Sequence, residues 1–203
     1  MLNRVSGTHG VTTMKRWLVG LVLSLFGVAA SGAATVDGIG VADTANVGGA
    51  ALVLNGAGMR TWFFFHVYVG ALYLRSRTTD AERALADPGP KRLSMTLTRN
   101  LSADELIDAL REGVARNASP AERAAIAPQL GTLVATMRAI GGAKDGDRIA
   151  IDFLPDGTTR ITLDGRPQGQ PIAGRRFQRD LLAVWLGHDP VQADLKRALL
   201  GGG

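Results

Sequence analysis

The sequence predicts an α+β domain, with helices gathered on one face of a large, mainly antiparallel sheet. Three observations carry this. Apolar residues alternate with polar ones at 91–99 and 147–163, the period of a strand. Capped segments with helical spacing fall at 102–140 and 174–200. The order runs strands, helices, a hairpin, then helices, which separates the two kinds of element instead of alternating them. With 203 residues, 46% hydrophobic and 20% charged, the chain suffices for one well-packed domain and hardly for two.

The first segment reads as a signal peptide. Lys15 and Arg16 precede the apolar run WLVGLVLSLFGVAA, and small residues SGAA follow at 31–34. The run is short against the roughly 20 residues of a membrane span. Cleavage is expected after Ala33 or Ala34, and Met14 offers an alternative start that would leave 1–13 outside the protein. Residues 1–34 carry three of the 23 basic residues and none of the 18 acidic ones, so the remainder has a net charge of about +2. That balance argues against nucleic-acid binding. The chain has no cysteine and must rely on its core alone, which suits a bacterial periplasm.

From Thr35 onward the elements follow in order. TVDGIGV at 35–41 reads as a short strand, and ADTANVGG as a loop. Ala50 to Leu74 is one β-type segment of 25 residues, too long not to fold back, with candidate turns at Asn55-Gly56 and at Met59–Trp62. Residues 78–86 suit a short helix stopped by Asp87-Pro88-Gly89-Pro90, and 91–99 a strand. Ser102 with Glu105 forms a capping box opening a helix to about Asn117. Ser119-Pro120 with Glu122 opens a second stretch to about Ile140, which Pro128 should kink or split. Residues 147–167 form a hairpin about the PDG turn. The segments 174–187, closed by Gly187, and 190–200 are the last helices.

No strong catalytic signature is present: no cysteine, HExxH, GxSxG or P-loop, and three histidines far apart in sequence give no metal site and no cofactor. Arg175, Arg176 and Arg179 suit a solvated helix face. The GAG at 56–58 continues into more strand, so it reads as a bulge or a close packing contact, not a nucleotide loop.

Interest centres on Trp62, Phe63, Phe64, Phe65 and Tyr68, which crowd into one short stretch of a chain with only 5% aromatics. On an uninterrupted strand Phe64, His66, Tyr68, Leu72 and Leu74 share one face. Phe63, Phe65, Val67, Val69 and Tyr73 share the other, which reads as the drier one. Arg60 heads the stretch. Arginine suits a carboxylate or an enolate-like oxygen, because its fork offers paired donors and keeps its charge when desolvated. On a straight strand Arg60 and Tyr68 would lie roughly 26 Å apart. A shared site therefore requires a turn near Thr61–Trp62. Residue chemistry alone leaves Arg60 either a hairpin-rim residue or a pocket anchor.

LVLNGAGMR at 52–60 and FFFHVYVGALYL at 63–74 resemble the chalcone isomerase-like family. So do ELIDALREG at 105–113, GDRIAIDFLPDG at 146–157 and FQRDLLAVWLGHDPVQADLKRALLG at 177–201. The likeness is strongest to the family's bacterial exported branch. It implies an open-faced sandwich over 35–203, with a ligand cleft between sheet and helices. Plant enzymes of this family cyclise chalcones to flavanones, their arginine steadying a developing enolate. Non-catalytic members bind fatty acids through that arginine and a strand tyrosine. Arg60 matches the arginine. Tyr68 falls where the plant enzymes carry threonine, and Leu106 and Gly113 fall where they carry tyrosine and asparagine. The stretch between Arg60 and the second strand is also shorter than theirs.

The resemblance thus implies a periplasmic, non-catalytic protein binding a fatty acid or similar apolar carboxylate. Arg60 is the expected anchor, with Tyr68 assisting and Phe64, His66 and Leu106 lining the cleft. The alternatives are an intramolecular lyase acting on a chalcone-like enone, with Arg60 as its catalytic oxyanion stabiliser, and an envelope interaction protein with a vestigial cleft. The expected partner is a small apolar anion, with no nucleic acid and no stable membrane span once the signal is removed.

Overall fold

Turn chemistry sets the first elements of the computed structural model, which describes residues 34–202. The expected signal segment, apart from Ala34, lies outside the described residues. Asp37 and Gly38 both take positive φ, 47° and 81°, as a two-residue hairpin turn requires. The stretch expected as a single strand is therefore a hairpin, β1 (Ala34–Val36) and β2 (Ile39–Val41). The expected loop likewise holds a short strand, β3 (Thr44–Val47), which pairs with the long β4 (Ala50–Trp62).

The reversal between β4 and β5 (Phe65–Leu74) comes at Phe63-Phe64, slightly later than expected. Asn55-Gly56 is not a turn but a bulge, where the register steps from Leu54↔Tyr73 to Gly56↔Leu72. The buried Asn55 side chain is satisfied there. It accepts from the Thr78 N–H at 2.7 Å and donates to the Leu199 carbonyl at 2.7 Å.

Next come α1 (Ala81–Ala86), β6 (Lys91–Leu97), the two-residue β7 (Leu101–Ser102) and α2 (Ala103–Asn117). The expected capping box of Ser102 with Glu105 forms on α2, and the expected helix start at Ser119 is a second one, Ser119 with Glu122 on α3 (Pro120–Ala125). Pro128 acts as expected: it lies in the first turn of a separate helix, α4 (Ala127–Ile140), where its missing N–H costs nothing. After β8 (Gly142–Ala143), β9 (Arg148–Phe153) and β10 (Thr158–Leu163) make the expected hairpin. Then follow β11 (Arg166–Ala173), α5 (Arg175–Leu186) and α6 (Ala193–Leu199).

Seven strands form one sheet in the order β11-β10-β9-β6-β5-β4-β3, every neighbour antiparallel. The helices lie on one face. There Leu72, Leu93 and Phe153 meet Val114, Leu181 and Leu199, all essentially inaccessible to solvent. Each such side chain contributes about 1.5–3 kcal/mol of burial. On the opposite face Val69, Ala71 and Tyr73 form a smaller core with Leu52, Leu54 and Val41, over which the β1–β2 hairpin folds. Period-two alternation along β5 thus divides the residues as expected from Tyr68 to Leu74. The expectation that the odd set is uniformly the drier one fails, because Phe63 and Phe65 are exposed.

Two glycine positions fix where helices sit. A Cβ on Gly56 would stand 2.0 Å from the Ala198 carbonyl oxygen, and one on Gly58 would stand 2.5 Å from the Ala198 Cβ. The GAG segment therefore serves close packing, letting α6 lie directly on β4. A Cβ on Gly113 would stand 2.6 Å from Val184 Cγ1, so this glycine brings α2 against α5.

Candidate ligand-binding cavity

The hairpin reversal at Phe63-Phe64 sets Arg60 opposite Tyr68 as direct register partners. Cross-strand partners hold their Cβ atoms about 4.5–5.5 Å apart, so the two side chains reach the same small volume. The condition that the spacing imposed is met, by a turn placed slightly beyond Trp62 instead of before it.

Tyr68 is fixed from the helical layer. The Trp185 indole N–H, on α5, donates to the Tyr68 hydroxyl at 2.8 Å. Burial pushes the phenol up to about 12, against opposing pulls from the Trp185 hydrogen bond and the Arg60 charge. The phenol is therefore neutral at physiological pH and keeps its proton to donate. Its hydroxyl already accepts from Trp185, and no protein acceptor for its own O–H occurs among the described residues.

Arg60 is half-buried and oriented by backbone and amide oxygens. Its Nη1 donates to the Thr61 carbonyl and, at 3.4 Å, to Gln192 Oε1. The same Gln192 oxygen accepts from the Thr61 N–H at 2.9 Å. Gln192 is the N-cap residue of α6, so the glycine-permitted seating of that helix also positions the arginine. None of the ion pairs among the described residues involves Arg60. Its charge lacks a protein counter-ion there.

Both groups line a cavity of about 430 Å³ between the sheet and helices α2, α4 and α5. Such a volume is within the range of small-molecule sites, about 300–1,000 Å³. The walls are mainly apolar. Val67, Met95 and Ile149 come from the sheet, and Leu106, Leu133 and Met137 from the helices. Arg99 and Glu105 add a polar pair, 3.4 Å apart, at the start of α2. Hydrogen bonds from the Ser102 backbone and hydroxyl hold the Glu105 carboxyl below its usual range, so it is charged and committed to the cap.

Of the five residues expected at the site, Arg60, Tyr68 and Leu106 line this cavity. Phe64 and His66 do not. Phe64 is 93% exposed at the turn and His66 is exposed beside it. The parity argument assumed an uninterrupted strand, whereas the register shifts between Arg60 and Thr61 and the chain reverses at Phe64. Trp185 and Gln192 were not expected. Trp185 sits in the apolar run of α5, where a core role is the ordinary reading, and Gln192 has no local motif to mark it. Among the described residues, no cluster of three or more His, Asp or Glu could hold a metal ion, and no helix is long and apolar enough to cross a membrane.

The arrangement of sheet and helices matches a known scaffold. A family model described as chalcone isomerase-like matches residues 33–201. This chain belongs to the chalcone isomerase-like family. Its fold is also similar to the crystal structure of a fatty-acid binding protein from Arabidopsis thaliana, with a TM-score of 0.61 at 11% identity. That alignment covers 80% of this chain and 92% of the other. A search of curated proteins finds no match. Within this chalcone isomerase-like chain, the cavity offers, besides the paired Arg99, one guanidinium outside any ion pair and one neutral hydroxyl donor. That pair suits an oxyanion joined to an apolar body.

Proposed function

We propose that this protein binds a fatty acid or a similar apolar carboxylate without transforming it. The carboxylate sits between Arg60 and the Tyr68 hydroxyl, and the chain lies along the wall containing Leu106. One observation carries the reading: an arginine without a carboxylate partner faces a spare O–H donor across the ladder, at an otherwise mainly apolar cavity. A half-buried charge without a counter-ion is partly desolvated and uncompensated, so an anion would complete the site. The fatty-acid binding neighbour supports the same ligand class. The basic start, apolar run and small residues at 15–34 support export to a periplasm as the place where the protein works.

The same donors could steady an enolate, which keeps intramolecular lyase activity on an enone as the second reading. Leu106 on the cavity wall and Gly113 packed under Val184 leave α2 without the tyrosine and asparagine expected of the enzymes, and the polar residues it does bring to the lining, Glu105, Asp108 and Glu112, are acidic. A vestigial cleft draws no support from the open cavity.

Titration of delipidated protein with a long-chain fatty acid and with the alcohol of equal length tests the proposal. Arg60→Ala should weaken the acid by about ten- to a hundred-fold and leave the alcohol nearly unchanged. Equal loss for both, or for neither, removes the anchor. Enone cyclisation that disappears with Arg60→Ala would replace binding by catalysis.

A further inference from the structure

Four of the five exposed large hydrophobic residues among those described are consecutive. Trp62 is 53% exposed, Phe63 76%, Phe64 93% and Phe65 59%. They form the tip of the β4–β5 hairpin, with Trp62↔Phe65 as the last register pair and Phe63-Phe64 as the whole turn. Local chemistry disfavours this arrangement. Phe63 has a φ of +53°, at a turn position ordinarily filled by glycine or asparagine. A bulky residue strained into that conformation, and exposed to water there, serves neither turn formation nor the core.

We infer that this aromatic tip is a membrane-docking finger that inserts into a phospholipid bilayer surface beside the mouth of the cavity. The shape is a projecting turn, not a face or groove, and its ladder is paired up to Trp62↔Phe65, so few backbone groups enter the apolar layer unpaired. Trp62 packs edge-to-face on Phe63, with ring centroids 5.1 Å apart, and indole rings favour the headgroup boundary. The Arg99 guanidinium lies over the Phe65 ring, 5.8 Å from its centroid, and its pair with Glu105, at 3.4 Å between solvent-accessible side chains, is weak enough to yield to lipid phosphates. Trp62 and Arg99 also line the cavity, so finger and mouth are continuous.

A second copy of the chain fits the tip less well. Four aromatic side chains exposed to this degree offer roughly 400–700 Å², short of the ~800 Å² per partner of a stable interface. The inference rests on the binding proposal only for its purpose, since a bilayer is where single-chain carboxylates are dissolved.

Flotation of the full chain with phosphatidylcholine vesicles, with and without phosphatidylglycerol, tests the inference. Phe63→Ser/Phe64→Ser should lower partitioning by about ten-fold or more while the thermal midpoint holds. Arg99→Gln should remove only the increment due to the anionic lipid. Brominated acyl chains should quench more fluorescence in wild type than in Trp62→Phe. Equal partitioning of wild type and the double serine variant overturns the finger. So does a wild-type dimer, abolished by the same substitutions, that ignores vesicles. Fatty-acid affinity measured without vesicles separates the two proposals: the serine variant should keep it, whereas Arg60→Ala should lose it and still float.

Discussion

Arg60 and Tyr68 face each other as register partners in β4 and β5, and each is held by a different helix: Gln192, capping α6, contacts Arg60, and Trp185 on α5 contacts Tyr68. The hairpin supplies proximity and the helical layer supplies orientation. Neither would suffice alone, because a cross-strand pair still leaves both side chains several rotamers.

Tyr68→Phe separates these contributions. It removes the donor offered to the ligand and leaves the Trp185 N–H without its acceptor. Carboxylate affinity should fall by roughly 1 kcal/mol and folding stability by about 1–3 kcal/mol. Trp185→Phe should cost stability without removing the ligand's donor. A double-mutant cycle on urea midpoints should give a coupling above about 0.5 kcal/mol.

Alkaline pH should reveal the same tyrosine. Its pKa in the folded protein, about 12, lies above the ordinary 10.0, so the folded state holds the proton more tightly than the unfolded chain. The associated stabilisation is fully present below pH 10 and is lost as pH rises towards 12, amounting to about 2–3 kcal/mol at most. Urea unfolding across that window should show wild type losing stability faster than Tyr68→Phe. Parallel curves would contradict the burial that raises the pKa.

Gly56→Ala should be severe for a backbone reason. The new Cβ would stand 2.0 Å from the Ala198 carbonyl and 2.8 Å from that of Leu199, neither of which can rotate away. Displacing α6 should cost about 3 kcal/mol or more and carry Gln192 away from Arg60. Calorimetry and fatty-acid titration should therefore fall together. Gly113→Ala meets only the Val184 side chain and should be milder.

Leu106→Trp should act on binding alone. Leu106 is partly buried on the cavity wall, where a larger side chain has room to enter. Long-chain acids should lose affinity by about ten-fold or more while short ones bind as before, and stability should hold or rise with the extra apolar burial.

What could be read in the sequence follows from how local each signal is. The capping boxes at Ser102 and Ser119, the split near Pro128 and the β9–β10 hairpin all depend on residues a few positions apart, and each is found. β11 carries no local strand signal, because Pro167, Gly169 and Pro171 argue against one. As an edge strand it can spare the N–H groups that proline lacks. The turn falls later than local rules suggest, because two phenylalanines hold a position where those rules expect glycine or asparagine. Family likeness and spacing single out Arg60 and Tyr68, and the register pairs them at the cavity. Trp185 and Gln192, 117 and 132 residues from the partners they hold, became visible only through packing.

The seating of α6 on the glycines of β4 has a further consequence. The seven-residue helix that steadies Arg60 closes a loop of more than a hundred residues, and such contacts are late to form in folding. Opening that helix alone requires less free energy than unfolding the sheet. Molecules with an intact sheet and a detached α6 would pass for native by most spectroscopic criteria, yet their arginine would be loose. Cargo that re-seats the arginine would in turn hold α6 down. Amide exchange in that helix is thus a gauge of occupancy, readable far from the ligand itself.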